Sequence, residues 1–394
     1  MNRIIYIPGL GQERNDLSVK AYALRMMKAI DEQNPNPAHT YKIESSDREY
    51  DGEGSISDVV SIFEINGEEE TEIYRLYEFK YGKFLTGKFQ ESNILYRFTT
   101  LLMVLVTRLF SVIKSIFSFK DNINKKSKIQ ALYFTVIYVV LALYLVLLIP
   151  SILGLLISFL SDYQESQQNT YINALKDYQE WFTGIIASFS AFMLLSPNSK
   201  NIFSAMATEY FSANQYLSIG DRRLLIMGKL NRLIEAISEE DDTVKIEIHG
   251  YSFGSILALD VIFPYEYEPN RRVKENINKL ITIGCPFDFI EIYWTNYFSD
   301  RKYTSLSLTT WQNINSDLDV LSTKFDASPI KQEKFISSIE FWNNIGQIDI
   351  TFNMVNPAQV SFTKMIMFYG LKAHQMYWDE HLEARSCLIS IVKT

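Results

Sequence analysis

A five-residue segment, Gly250-Tyr251-Ser252-Phe253-Gly254, constrains the fold of this chain more than any other part of its sequence. The residues before it, 244–249, alternate between apolar and polar side chains, which is typical of a half-buried strand. The residues after it, 255–263, favour a helix. Glycines on both sides of Ser252 allow the strand and the helix to approach closely. The segment therefore predicts a sharp strand-to-helix turn with Ser252 at its apex.

The rest of the chain alternates strand-like and helix-like segments around the long apolar region 94–195. Strands are predicted at 3–8, 73–79, 244–249, 279–284, 307–314 and near 348–355, and helices at 16–31, 221–238 and 252–263. The stretch 41–65 is polar and mixed. Strands that alternate with helices imply an α/β fold, with a mainly parallel sheet covered by helices on both faces.

Several segments together resemble the α/β-hydrolase superfamily, and in particular its lipase-like serine hydrolases. Residues 248–255 resemble the family's strand, Gly-x-Ser-x-Gly nucleophile turn and helix. Residues 280–288 resemble the next strand with its Gly-x-Pro turn, 311–320 the strand whose end presents an acid, and 373–378 the late loop that delivers a histidine. The resemblance covers roughly 1–90 and 200–394. It implies an α/β-hydrolase-like fold in which a catalytic serine, acid and histidine follow each other in that order.

Ser252 is the predicted nucleophile, and it needs a general base, for which histidine is the best suited side chain near neutral pH. The chain has four histidines. His39 comes too early in the chain, His249 lies within the strand before the turn, and His381 is surrounded by acidic residues as on a solvated surface. His374, in a loop-like stretch after the last strand candidates, is the predicted base.

The acid that orients the histidine is predicted to be Asp319, in the polar loop just beyond the strand 307–314. Asp349 is the main alternative, although its place in a strand-like alternation also fits a solvent-facing position. Asp317 and Asp288 are further candidates.

An oxyanion hole for this chemistry is predicted from two backbone amides. One is the N–H of Phe253, the residue after the nucleophile. The other is the N–H of Leu10, in the glycine-rich loop Pro8-Gly9-Leu10-Gly11 after the first strand. Lipases in which a histidine precedes that glycine differ from this chain, which has Pro8 there.

Residues 93–199 are predicted to form a helical membrane subdomain inserted between two parts of one hydrolase domain, 1–92 and 200–394. Residues 131–160 carry no charged side chain, and a bilayer core needs roughly 20 such residues. A second span is predicted at 181–197. The segment 94–119 is apolar but contains Arg97, Arg108 and Lys114, which favours an amphipathic helix in the interface.

An even number of spans keeps both hydrolase parts on the same side of the membrane. The loop 162–180 is mainly acidic, whereas lysines precede the first span and Lys200 follows the second. Because lysine and arginine mark the cytoplasmic side, the sequence predicts a multi-pass protein of the inner cell membrane whose hydrolase domain faces the cytoplasm.

The composition argues against other classes of function. The net charge is −8 and no basic stripe is interleaved with aromatic residues, so we expect no nucleic-acid partner. The two cysteines form no metal-binding or disulfide pattern, and neither a metal nor a cofactor is expected. The sequence leaves the oligomeric state open.

These features predict a membrane-anchored serine hydrolase that cleaves acyl esters, with a lipase or phospholipase acting on bilayer lipid as the leading expectation. Two alternatives stay open. The anchor could localise an esterase, a thioesterase or a protein deacylase with a non-lipid substrate, or the chain could be a non-catalytic membrane scaffold.

Overall fold

The structure of the chain, a computed structural model, describes residues 2–10, 18–33, 39–85, 103, 107–108, 210–218, 220–240, 243–294, 296–301, 307–327, 345–356, 360, 374–378 and 386–392. The predicted spans 131–160 and 181–197 lie outside these residues, as does the predicted interfacial helix 94–119 except for residues 103, 107 and 108. Within the described residues, no helix has the length and apolar character needed to cross a membrane.

One sheet of eight strands organises the described part of the chain, in the order β2-β3-β4-β1-β5-β6-β7-β8. The strands are β1 (Asn2–Ile7), β2 (His39–Glu49), β3 (Ile56–Asn66), β4 (Glu69–Glu78), β5 (Ile246–Tyr251), β6 (Ile277–Ile283), β7 (Thr310–Asn315) and β8 (Gly346–Thr351). Pairings are parallel except for those of β3 with β2 and with β4. The prediction of a mainly parallel α/β sheet is confirmed.

Helices cover both faces of this sheet. They are α1 (Val19–Gln33), α2 (Gly82–Leu85), α3 (Asp221–Ser238), α4 (Phe253–Ile262), α5 (Arg271–Asn276), α6 (Phe287–Tyr293) and α7 (Ile389–Val392), and residues 210–218 are also helical. Alternate residues of β1 point to opposite faces: Ile4 packs in one core with Tyr22 of α1, whereas Ile5 packs in the other with Ile256 of α4.

Residues 41–65, polar and mixed in sequence, were assigned no element, and most of β2 and of β3 lies there as an antiparallel pair. β2 is an edge strand and is buried at none of its positions, so its side chains show no apolar alternation. Lysine on an edge strand is a common protection against aggregation, and Lys42 forms ion pairs with Glu44 and Glu70. Polarity at a sheet edge hid the strand from the sequence pattern.

The connections of β1 and β5 diverge, although these strands are neighbours in the sheet. β1 is followed along the chain by α1, on one face, and β5 leads into α4, on the other face. In open α/β sheets, such a divergence leaves a crevice at the carboxyl ends of the strands, where ligands bind. The residues at these two ends are Pro8 and Ser252.

Candidate active site

Ser252 occupies a strained backbone conformation between β5 and α4. Its φ of 52° and ψ of −123° lie in a region that side-chain-bearing residues rarely adopt. The turn is held by its neighbours, since the N–H of Ser252 donates to the carbonyl of Ile283 on β6 at 2.8 Å and the N–H of Ser255 donates to the carbonyl of Ser252 at 2.9 Å. The conformation presents Ser252 at the edge of the sheet, as predicted for the apex of a sharp turn.

The two glycines that flank this turn are required by close backbone contacts. A Cβ atom on Gly250 would lie 2.7 Å from the Cα of Ser255, inside the first turn of α4. A Cβ atom on Gly254 would lie only 2.1 Å from the carbonyl oxygen of Ile7 and 2.5 Å from that of Pro8. Gly250 therefore lets α4 fold back onto β5, and Gly254 lets α4 approach the end of β1.

The structure brings the three predicted catalytic side chains into one hydrogen-bonded chain. Ser252 Oγ lies 2.6 Å from His374 Nε2, and His374 Nδ1 lies 2.9 Å from Asp319 Oδ2. A carboxylate only accepts hydrogen bonds, so in a neutral imidazole Nδ1–H donates to Asp319 and Nε2 accepts from the Ser252 hydroxyl. In that tautomer, the lone pair of His374 Nε2 faces the hydroxyl proton of Ser252.

Asp319 is completely buried and has hydrogen-bond donors on both oxygens. Its Oδ1 accepts the backbone N–H of Leu321 at 3.0 Å, and its Oδ2 accepts the Tyr377 hydroxyl at 2.7 Å in addition to His374. Burial raises the pKa of Tyr377 well above its usual value, and the nearby Asp319 carboxylate adds to this shift. Tyr377 therefore keeps its proton at neutral pH and serves as a donor.

The turn that carries His374 is fixed by Tyr251, the residue before Ser252. The Tyr251 hydroxyl donates to the backbone carbonyl of His374 at 2.7 Å, and the two rings stack with centroids 5.8 Å apart. Three residues later, the carbonyl of Tyr377 accepts the N–H of Cys387 at 2.9 Å. The imidazole is thus positioned from β5 and from the C-terminal segment together.

The predicted oxyanion residues lie on two segments that meet at the turn. Phe253 is the first residue of α4, and the first amides of a helix have no partner within the helix. Leu10 is buried and follows Pro8, whose carbonyl accepts the Tyr81 hydroxyl at 2.9 Å. The Tyr81 ring lies 6.5 Å from that of Phe253, between centroids. This places the two predicted segments side by side, and the roles of the two amides stay predictions.

The alternative acids have other partners. Asp349 on β8 accepts hydrogen bonds from the side chain of Asn313 and the backbone N–H of Asp326. Asp317 accepts one from the side chain of Asn353. Asp288 is buried in the first turn of α6. The bond to His374 Nδ1 is made by Asp319.

The other histidines hold structural positions where they are described. His249 is buried on β5 between the Tyr22 hydroxyl, 2.8 Å from its Nδ1, and the Glu247 carboxylate, 3.1 Å from its Nε2. His39 pairs with Glu64 across the β2–β3 pair at 2.8 Å. His381 lies outside the described residues.

Sequence reasoning missed the residues that support the three side chains. Tyr251 and Tyr377 lie inside segments that were singled out for other reasons, and the sequence offers no periodic signal for a hydroxyl that bonds across the fold. Gly284, in the Gly-x-Pro turn, has a φ of +61°, and a Cβ there would lie 3.2 Å from His374 Cε1. A glycine within a recognised turn was the one available signal for this contact.

In the part of the chain that the structure describes, no three His, Cys, Asp or Glu side chains are grouped as metal ligands. Cys285 and Cys387 are free and buried, and burial raises the pKa of both thiols. Comparison of the chain with protein-family models, with curated proteins and with solved structures yields no match.

Proposed function

We propose that this protein is a serine hydrolase of the α/β-hydrolase type that cleaves acyl esters, with membrane lipid as its substrate. The observation that carries the proposal is the hydrogen-bonded chain from Ser252 through His374 to the buried Asp319. A nucleophile, a base and an acid in this arrangement are recognised by their geometry and roles rather than by sequence position. The strained conformation of Ser252 adds support, because such strain concentrates at functional sites.

The proposed reaction begins when Ser252 Oγ attacks the ester carbonyl carbon and its proton passes to His374 Nε2. The carbonyl oxygen becomes an oxyanion, which the amides of Phe253 and Leu10 would stabilise. The C–O bond to the alcohol then breaks, and the alcohol leaves with the proton from His374. Asp319 stays ionised throughout and stabilises the imidazolium.

Water completes the cycle in the same manner. His374 takes a proton from water as its oxygen attacks the acyl-Ser252 ester. The bond between the acyl carbon and Ser252 Oγ breaks, the serine oxygen recovers the proton from His374, and the free acid is released. The enzyme returns to its starting state without an added cofactor.

A lipid substrate is supported by the position of the predicted membrane insertion in the chain. Arg108, near the start of the insertion, lies with its guanidinium 5.3 Å from the centre of the Trp294 ring and donates to Asn214 and Ser218. Asn214 and Ser218 belong to the helical segment 210–218. In that segment, the centre of the Tyr216 ring lies 5.4 Å from the centre of the ring of Phe253, the residue after the proposed nucleophile. Arg108, inside the predicted insertion, thus contacts the segment that follows the insertion, and that segment in turn contacts Phe253, the residue after Ser252.

The experiment that tests the proposal is fluorophosphonate labelling of the full-length protein in detergent, followed by measurement of fatty acid released from phospholipid vesicles. We expect wild type to label and to release fatty acid, and Ser252→Ala and His374→Ala to do neither. His39→Ala is the matched control, because its imidazole pairs with Glu64 at the sheet edge, and it should behave as wild type.

The remaining outcomes distinguish the alternatives. Labelling with hydrolysis of p-nitrophenyl butyrate but no release of fatty acid would replace the lipid substrate with a soluble or protein-linked ester. Absence of labelling in folded wild-type protein would overturn the serine hydrolase and favour a non-catalytic scaffold. Reconstitution in vesicles, with protease access to the hydrolase domain from one side, tests the proposed multi-pass topology with that domain in the cytoplasm.

A further inference from the structure

The Asp319 carboxylate accepts two side-chain hydrogen bonds on one oxygen atom. His374 Nδ1 lies 2.9 Å from Oδ2, and the Tyr377 hydroxyl lies 2.7 Å from the same Oδ2. Asp319 has no exposed surface, and the Tyr377 side chain is equally buried. Water therefore has no access through which it could replace the tyrosine hydroxyl, and a donor to a buried carboxylate is a strong interaction.

The Tyr377 hydroxyl and the His374 imidazole share Oδ2 of Asp319. A phenol that donates to Oδ2 withdraws part of the negative charge that this atom would otherwise offer to the imidazole. The phenol also limits rotation of the carboxylate, whose other oxygen is held by the N–H of Leu321 at 3.0 Å. Tyr377 thus acts on both the direction and the strength of the bond between Asp319 and His374.

Within the described residues, charged and polar groups from several elements lie around Asp319 and His374. Ser252 and Tyr251 reach it from β5, the latter through the His374 carbonyl. The Arg25 guanidinium of α1 lies over the ring of Trp378, 5.3 Å from its centre. Asp317, on the same loop as Asp319, is turned to Asn353. Among the described side chains, the Tyr377 hydroxyl donates to Asp319 Oδ2 at 2.7 Å, and the Ser322 side chain bonds in turn to that hydroxyl.

We propose that Tyr377 is a positioning residue of the hydrolase, which sets through Asp319 the pH at which His374 becomes an effective base. This inference rests on the proposed function. The direction of the expected pH shift follows from the shared oxygen. Loss of the phenol hydroxyl leaves Oδ2 to the imidazole alone, which favours the imidazolium and moves the acidic limb of the activity profile to higher pH.

The test compares pH profiles of kcat/KM for hydrolysis of p-nitrophenyl butyrate by full-length wild type, Tyr377→Phe and Tyr251→Phe. We expect Tyr377→Phe to shift the acidic limb upward by about half a pH unit or more and to lower the plateau by about tenfold. Tyr251→Phe is the matched control. It removes a hydroxyl of β5 that contacts the same turn but bonds to the His374 backbone carbonyl, so its acidic limb should stay in place.

A second comparison tests whether the shift of the acidic limb depends on the Asp319 carboxylate. In an Asp319→Asn background, adding Tyr377→Phe should produce no further shift of the limb, because no carboxylate remains to be tuned. Equal limbs for wild type and Tyr377→Phe, or a shift that persists without the carboxylate, would overturn the proposal. Wild-type protein that neither hydrolyses the ester nor labels with fluorophosphonate would instead refute the hydrolase itself.

A near-isosteric replacement covers the case in which Tyr377→Phe does not fold. Site-specific 3-fluorotyrosine at position 377 keeps the hydroxyl and makes it a stronger donor. It should move the acidic limb to lower pH, opposite to Tyr377→Phe, and an unmoved limb would count against the proposal.

Discussion

A Cβ atom on Gly284 would lie 3.2 Å from Cε1 of His374, so the imidazole holds its place beside Ser252 because residue 284 has no side chain. The same atom would lie 2.9 Å from Cε2 of Tyr377. The positions of the proposed base, His374, and of the proposed positioning residue, Tyr377, thus both require a glycine in the turn after β6.

Gly284→Ala should therefore inactivate the protein more than it unfolds it. The positive φ lowers the free energy of unfolding by about 1 kcal/mol for any residue with a Cβ. In addition, the contact with His374 should lower kcat/KM about a hundredfold. Gly67→Ala is the control, since Gly67 has a similar φ of +64° but nothing within 4 Å of its Cβ position. Equal activities of the two variants, with equal melting temperatures, would contradict the prediction.

Asp319→Asn and Asp349→Asn should separate the two acids that the sequence left in competition. Asparagine at 319 offers His374 an amide in place of a carboxylate and should reduce kcat by about ten-thousandfold. Asp349 bonds Asn313 and Asp326 instead, so its replacement should cost about 1 kcal/mol of stability and little activity. Steady-state kinetics of both purified variants decide the matter, and the reverse order of effects would assign the acid to Asp349.

Arg301→Met should strongly destabilise the fold. Arg301 is 1% exposed and donates to the buried carboxylate of Asp260 on α4 at 2.7 Å and to the carbonyl of Phe263 at 3.0 Å. Its removal leaves a buried charge without its cation, which costs about 3–5 kcal/mol. The exposed pair of Arg271 and Glu275 provides the control. Arg271→Met should cost under about 0.5 kcal/mol, and urea unfolding that gives similar values for both would refute the argument.

His249 should make the fold sensitive to mild acid. Burial lowers the pKa of His249, and the bond to Glu247 opposes this without reversing it. The unfolded chain therefore takes up a proton near pH 6.5 that the folded protein resists, so stability is full above that pH and falls as the pH drops below it. The slope is at most about 1.4 kcal/mol per pH unit. Melting temperatures between pH 7 and pH 5 should fall for wild type and less for His249→Gln, whereas an unchanged slope would rule out this residue.

Parts of this structure follow from the sequence because their causes are local. The glycines at 250 and 254 predicted a tight turn, and the turn is there with contacts that exclude any side chain. Chain order and loop position favoured His374 among four histidines and Asp319 over Asp349, which stayed open as an alternative acid, and the structure places His374 between Ser252 and Asp319. Their catalytic roles stay predictions.

Other parts depend on tertiary contacts that leave no local pattern. The β2–β3 pair was missed because an exposed edge imposes no apolar alternation. The hydrogen bond from Tyr377 to Asp319 joins residues 58 positions apart in the sequence. No periodic pattern in the sequence predicts a contact between residues so far apart along the chain. Residues that hold a site are therefore harder to find from sequence than the residues that react.

The pairing of β1 with β5 has a consequence for the order of assembly. Arg3 of β1 pairs with Ile246 of β5 near the centre of the sheet. β1 is synthesised before the whole predicted insertion, and β5 is synthesised after it. Until β5 leaves the ribosome, one flank of β1 has no neighbour, and contacts of such long sequence separation form slowly. β1 therefore gains its second neighbouring strand only after the predicted insertion has been synthesised, and the turn at Ser252, which packs on the end of β1, can complete its contacts only then.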